Sequence, residues 1–357
     1  MNTNSKKIIL GIETSCDDTS ICLLKGKAGH YQSPPEILAH LSFSSEEMLK
    51  YWGGIVPEIA ARNHVEKLTP LLDQAFQKSD LELTDVDLIS VTTHPGLLGP
   101  LLTGLNAAKT LSLLSEKPIY PANHLFAHLE AIHLTEKISY PYLGLLVSGG
   151  HSAYFLVEGP TNMKLLGTTL DDAAGEAFDK GGKLMGLPYP AGRWIDQAAS
   201  QGDPKTYDFP IGLKGRPTAD LSFSGLKNAV RVFLESHPEI RAPKDNEKAD
   251  QSFYDLCASY QFAITESLKI KLKNALKLVD QPQIPIVVGG GVACNSGLRK
   301  SLANSFDHVS FVKPSFCTDN GAMIANLGLR DFNNSLCYPE CLSLDSRSRF
   351  LQKPKVG

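Results

Sequence analysis

The chain has 357 residues, of which 42% are hydrophobic and 20% charged, with a formal net charge of −3. That composition excludes disorder and fibrous structure as the main state, and at roughly 100–200 residues per domain the length predicts two domains or one large duplicated one. No apolar run reaches the roughly 18–20 residues of a membrane span, and a slightly acidic balance means that any contact with nucleic acid is local or shared with a partner.

The opening MNTNSKKIILGIETS has an apolar run broken by Glu13 and reads as a first strand, not a signal peptide. CDDTS is a polar turn, and SICLLKG and ILAHLSFS are further strands. From Val56 to Gln77 apolar residues recur at three and four, a helical period, with Pro57 in the first turn. VDLISVTTH is a strand, PGLLGP a turn, Leu101 to Leu114 a helix, and PIYPA closes the half. The second half opens in the same way, with YLGLLVSGG, HSAYFLVEG and MKLLGTTL as strands. Helices follow over Ala173–Met185, Leu226–Leu234 and Phe253–Val279, with a loop from about Pro204 to Pro217. IPIVVGGGVACN is a strand running into a glycine-rich turn, SGLRKSLANSF a helix, HVSFVKP a strand and NGAMIANLGLRDF a last helix. The tail after Asn333 shows little pattern. Two similar α/β lobes with a ligand cleft are the expected architecture. Cys16, Cys22, Cys257, Cys294, Cys317, Cys337 and Cys341 are scattered without a CxxC, which points to free thiols in a reducing cytosol.

Five segments carry chemical signals. HLFAH puts His124 and His128 four apart, on one helix face, where they could share a metal ion or simply be two unrelated histidines. His133 would fall on the opposite side of a continued helix, and Leu125 stands where HExxH has its glutamate. The turn from Val147 to His151, VSGGH, could offer backbone N–H groups to an anion or could be a plain hairpin turn. Three glycines in VVGGGVACN suit a flat ring lying on the backbone, or close strand–helix packing. The segment TLDDAAGEAFDKGGKLMGLPYPAGRWID holds Asp171, Asp172, Glu176, Asp179 and Asp196. Capping accounts for the first two, and ligand binding is the favoured role for Asp179. Asp319 in FCTDNGAMIA and the pair Asp17 and Asp18 would be explained by a helix cap and a turn.

Taken together, GIETSCDDTS, GGIVPEIAARNHV, NHLFAHLEAIH, LLVSGGHS, DDAAGEAFDKGGKLMGLPYP, DLSFSGLKNAV, GGGVACNSGLR and FCTDNGAMIA resemble one family in its own order, over about residues 8 to 330. The family is the tRNA N6-adenosine threonylcarbamoyltransferases (TsaD), formerly described as glycoproteases. The resemblance implies a two-lobed actin-like ATPase (ASKHA) fold of duplicated ribonuclease H-like domains with a central ligand cleft. One lobe would span 1–135, completed by a C-terminal helix over about 321–345, and the other 136–320. It implies transfer of threonylcarbamoyl from threonylcarbamoyl-adenylate to N6 of adenosine 37 in tRNAs reading codons that start with A, with release of AMP. His124, His128 and Asp319 match the family's metal ligands, for iron or alternatively zinc. Leu146, Val147, Ser148, Gly149 and Gly150 match its phosphate and ligand loop, and Asp179, Gly192, Asp196 and Asn295 the residues that hold the nucleoside. Asp17 and Asp18 match an acidic pair at the reacting centre and are the candidate bases.

Some positions depart from the family's pattern. Leu146 stands where some members have a tyrosine ligand, Asp17–Asp18 replaces Asp-Glu, His94 replaces a common glycine, and PAGRWID brings in Ala191 and Arg193. The implied partners are tRNA, a paralogous pseudoenzyme (TsaB-like) as heterodimer partner, a small P-loop ATPase (TsaE-like) and an upstream adenylate synthase, all in the cytoplasm with no membrane. The helix from Val56 to Gln77 is the expected dimer surface. Lys214, Arg216, Lys227 and Arg231 are candidates for tRNA phosphates, whereas Lys269, Lys271, Lys273 and Lys277 read as a solvated helix. A small-molecule kinase of the same fold, a metalloprotease and a non-catalytic scaffold compete with this reading. The first gives no reason for His124 and His128, the second lacks the HExxH glutamate, and intact ligand positions argue against the third.

Overall fold

The computed structural model describes residues 5–29, 33–45, 55–243, 249–281 and 283–349. Gly53 and Gly54 of the GGIVPEIAARNHV segment, and the tail from 350, lie outside these. The chain forms two units: Met1–Ser139 with Gly159–Thr161 and Asp319–Gly357, and Tyr140–Glu158 with Asn162–Thr318.

In the first unit β1 (Lys6–Glu13), β2 (Thr19–Lys27) and β3 (Glu36–Phe43) form an antiparallel meander, and β4 (Leu88–His94) and β5 (Ile119–Asn123) extend it parallel to β1, in the order β3-β2-β1-β4-β5. Between strands run α1 (Pro57–Ser79) and α2 (Leu98–Ser115). α1 continues through Pro70, which removes one main-chain hydrogen bond at a cost of about 3 kcal/mol. Full burial of side chains such as Leu68 and Leu72 on its inner face, about 1.5–3 kcal/mol each, offsets this. α2 starts at Leu98, so the PGLLGP turn gives its last residues to the helix. Pro100 is tolerated there because first-turn N–H groups have no partner to lose. After β5 comes the short α3 (His124–Glu130), which tightens into a 3-10 turn over Ala131–Leu134.

The final helix, α9 (Gly321–Arg330), lies on β1 so closely that a Cβ at Gly11 would sit 2.2 Å from the Gly321 carbonyl oxygen and 2.7 Å from the Ala325 nitrogen. Only glycine fits that crossing. The helix ends at Arg330, not near 345, and residues 331–349 pack back on the first unit. Leu336 exchanges two main-chain hydrogen bonds with Ile119, and Cys341 is fully buried in the core formed by Leu10, Ile12, Ile89 and Leu105.

The second unit repeats the plan. Strands β6 (Tyr142–Val147), β7 (Ser152–Val157) and β8 (Met163–Thr168) are antiparallel, β9 (Ile286–Gly289) and β10 (Val309–Phe311) run parallel to β6, and the order is β10-β9-β6-β7-β8. Read from the meander edge, both sheets have the same connectivity. The unit's helices are α4 (Ala174–Met185), α5 (Gly192–Ala199), α6 (Ser224–Ser236), α7 (Gln251–Val279) and α8 (Ser296–Ala303). One charged residue departs from its expected place. Lys271 is fully buried on α7, with Nζ 2.7, 2.8 and 3.1 Å from the carbonyl oxygens of Leu213, Arg216 and Thr218, so it ties down a loop and does not belong to a solvated row. No described helix is long and apolar enough to cross a membrane.

Candidate functional site

β5 ends on Asn123, whose Oδ1 accepts hydrogen bonds from the N–H groups of Leu125 (2.9 Å) and Phe126 (3.2 Å) and so starts α3. That places His124 and His128 on successive turns of one face. Their Nε2 atoms are 3.2 Å apart, and Asp319 Oδ1 lies 3.1 Å from His128 Nε2 and 3.6 Å from His124 Nε2. Asp319 is not the cap of α9. Asn320 has that role, accepting from Met323 N–H at 2.9 Å, and the Asp319 carboxylate is left to face the imidazoles. Among the described residues these three form a group able to hold a metal ion, and all belong to the first unit.

The donor set fits such an ion. Nitrogens each about 2.0–2.1 Å from a divalent ion, at roughly 90–110° to one another, are about 3.0–3.4 Å apart, which brackets the observed spacing. His124 Nδ1 faces Ser15 Oγ at 3.1 Å and Glu13 Oε2 at 3.5 Å. A proton held on Nδ1 by these oxygens leaves the Nε2 lone pair directed at the centre. Burial disfavours a charged His124, but Asp319 and Glu13 overcome that and raise its pKa to about 9. The pocket therefore accommodates one positive charge, as a proton or as a metal ion. Burial and the neighbouring His124 both lower the pKa of His128.

Glu13 was not singled out in the sequence except as a break in an apolar run. It is fully buried, accepts from Ser15 N–H at 2.6 Å and from the Thr92 hydroxyl through a short bond, and supports His124. A lone carboxylate in a strand has no spacing signature; the only clue was a charge where the apolar pattern called for none.

Asp17 and Asp18 lie in the turn after β1. Burial, then the charges of Asp17 and Asp319, raise Asp18 to about 7, and its buried Oδ1 has no hydrogen-bond partner among the described residues. Asp17 is raised by burial and by Asp319. Burial also pushes the Cys16 thiol well up, which keeps it protonated and unfit as a nucleophile.

In the second unit, Leu146 and Val147 are fully buried in β6, so only their backbone is available to a ligand. Ser148 N–H is occupied by the His151 carbonyl at 2.8 Å, and His151 N–H returns to Ser148 Oγ at 3.2 Å. Gly149 and Gly150 are exposed. Gly290 has a φ of +91°, and a Cβ there would stand 2.4 Å from the Val147 carbonyl oxygen, so this glycine serves close packing.

The four residues assigned to the nucleoside are linked by helix caps. Asp179 Oδ1 accepts from Ala191 N–H at 2.7 Å, at the start of α5, beside Gly192. Asp196 accepts from Ser296 N–H (2.9 Å) and Ser296 Oγ (2.8 Å), at the start of α8. Asn295 caps the same helix through Leu298 N–H at 2.8 Å and donates to Gln261 Oε1 at 2.6 Å. Asp171 likewise receives Phe223 N–H (2.7 Å) and Ser224 N–H (3.2 Å) ahead of α6. Among the tRNA candidates, Arg231 pairs with Glu235 at 2.6 Å.

Comparison with known proteins agrees with this geometry. A family model described as tRNA N6-adenosine threonylcarbamoyltransferase (TsaD) matches residues 36–326. A relative of that name from Rhizobium etli (strain CIAT 652) is 42% identical over 353 residues, covering 96% of this chain and 93% of the relative. Another, from Rhizobium meliloti (strain 1021), is 43% identical over 332 residues, covering 90% and 88%. Among solved structures, component A of the (R)-2-hydroxyglutaryl-CoA dehydratase of Acidaminococcus fermentans gives a TM-score of 0.51 at 14% identity, over 95% of this chain and 100% of that one. Full-length HypF gives 0.55 at 12% identity, over 92% of this chain and 46% of that one. These two likenesses speak to fold alone, and with the repeated sheet order they show an actin-like ATPase fold. The family model and the full-length relatives together show that the chain belongs to the tRNA N6-adenosine threonylcarbamoyltransferases.

Proposed function

We propose that this transferase moves a threonylcarbamoyl group from threonylcarbamoyl-adenylate to N6 of adenosine 37 in tRNAs that read codons beginning with A. The observation that carries the reading is the convergence of two imidazoles and a carboxylate next to a turn bearing two aspartates with raised pKa values. His124, His128 and Asp319 would hold the resident ion, iron in this reading, with zinc the competing metal. When bound, it supplies Lewis acidity and a template for the acyl group.

The exocyclic amine is a weak nucleophile, so positioning supplies much of the rate. As N6 bonds to the carbamoyl carbon, the bond from that carbon to the phosphate oxygen breaks, and AMP leaves with the electron pair. Asp18 takes the proton lost from N6: burial and neighbouring charges raise its carboxyl to about 7, and one oxygen has no partner among the described residues. Gly149 and Gly150 N–H groups hold the phosphate and stabilise charge on the leaving group. Asp179, Gly192, Asp196 and Asn295 shape the nucleoside site through the helix starts they tie together. Lys214, Arg216 and Lys227 would meet tRNA phosphates.

We assign the heterodimer face to α1. Val65 is 67% exposed, and a groove of about 370 Å³ is lined by Val65, Leu68, Leu102 and Ala107. A paralogous pseudoenzyme is the proposed occupant, with a small P-loop ATPase and an adenylate synthase serving the same cytoplasmic reaction.

Nucleoside mass spectrometry of tRNA from depleted cells tests the reading. Threonylcarbamoyladenosine should vanish and return with wild type but not with His128→Ala. Unchanged levels, with no second homologue present, would overturn it.

A further inference from the structure

The turn that carries Asp17 and Asp18 is held by α1 and by the residues that follow β3. No described backbone donor reaches the carbonyl oxygens of Cys16 and Asp17, which lie beyond the β1–β2 ladder. The Cys16 carbonyl faces His64 Nε2 at 3.1 Å, and the Asp17 carbonyl accepts from Ser45 Oγ at 2.9 Å. Ser45 Oγ in turn accepts from Asn63 Nδ2 at 3.1 Å. His64 Nδ1 lies 2.8 Å from the hydroxyl of Thr19, the first residue of β2.

These contacts fix the tautomer. A carbonyl only accepts, so His64 Nε2 carries the proton, and Nδ1 of the neutral ring accepts from Thr19. His64 is fully buried, Asn63 is 7% exposed and Ser45 3%. Burying an imidazole, an amide and a hydroxyl together gains little over apolar packing unless their directions matter. Here all of those directions converge on the two carbonyls and on Thr19. Ser44 and the Ser45 backbone also hydrogen-bond to Asp18, so one segment holds the turn at both aspartates.

We infer that Asn63 and His64 are positioning residues of the transfer reaction, setting through Ser45 and Thr19 where the Asp17–Asp18 pair stands. The inference rests on the proposed role of that pair as proton acceptor. Neither residue need touch substrate. A shift of the turn by about 1 Å would cost on the order of 100-fold in rate while leaving tRNA binding in place.

The test uses the full chain with its accessory proteins, tRNA and adenylate, and compares wild type, His64→Leu, His64→Gln, Ser45→Ala and Asp18→Asn. His64→Leu should lower kcat by about 10–100-fold, with KM for tRNA within about twofold of wild type. Amide exchange should rise about tenfold across the turn and stay unchanged in β4 and β5. His64→Gln, whose amide N–H reaches the Nε2 position, should recover most of the rate. Ser45→Ala removes one hydroxyl and should give a smaller loss of the same kind, which keeps the test open should His64→Leu not fold. A wild-type kcat in both His64→Leu and Ser45→Ala beside a lost rate in Asp18→Asn would overturn the inference alone, as would faster exchange throughout the first unit. A wild-type rate in Asp18→Asn would overturn the acceptor reading beneath it.

Discussion

At the scale of single residues, the metal group and its support make separable predictions. Asp319→Ala removes a carboxylate that no cap requires, so metal content measured by mass spectrometry should fall from about one ion per chain to near zero while the helix content of the purified chain persists. Glu13→Gln keeps the shape but loses the charge behind His124, and metal affinity measured against a competing chelator should drop about 10–100-fold. Asp18 predicts the pH profile. Its folded pKa of about 7 means that the proton-accepting carboxylate forms only as pH rises through 7, so kcat should climb across that window and level off above it. Asp18→Asn should flatten that limb and reduce kcat by about 10²–10⁴. The nearness of His124 and His128 was legible because two histidines four apart lie on one helix face, whereas Asp319, read alone, was explained by a helix cap and joined them only through the family resemblance. Glu13 and His64 were not legible. Their roles depend on contacts with residues 111 and 45 positions away, which no local pattern encodes.

At the scale of elements, apolar period gave most of the helices to within a few residues, and failures fell where long-range contacts decide. α5 went unseen because it is short and begins where Asp179 reaches across from α4. The placement of residues 331–349 depends on Leu336 pairing with Ile119 and on Cys341 entering the core, neither visible in local sequence. Lys271 was hidden in a row of lysines at mixed angles, and only its three carbonyl partners distinguish it. Lys271→Met should leave those carbonyls without their donor and destabilise the protein by about 1–3 kcal/mol, with faster proteolysis between residues 213 and 218 as the local readout.

For the whole molecule, the repeated strand order was legible as two openings of three strands, since strands buried along their length read as nearly unbroken apolar runs. Acid sensitivity should also appear at this scale. Burial lowers the pKa values of His64, His94 and His133, the last to about 4. A folded pKa below the unfolded value of about 6.5 favours the folded state fully above 6.5, and that contribution is lost as pH falls toward and through 4. These histidines therefore take stability from the fold as pH falls below 6.5, opposed by Asp18, whose protonation near 7 favours the folded state, and His133→Phe should leave thermal midpoints less acid-sensitive than wild type. The return of the chain to its first sheet has a further consequence, in time. Asp319 follows His128 by 191 residues, and α9 and the buried Cys341 come later still. On the ribosome the second unit has all of its strands before the first has its last helix. The first unit must wait with an exposed face along β1, and the His124–His128–Asp319 group cannot close until residue 319 has been made. A chain truncated before residue 319 should thus keep all five strands of the second sheet and lack the carboxylate that completes the His124–His128–Asp319 group.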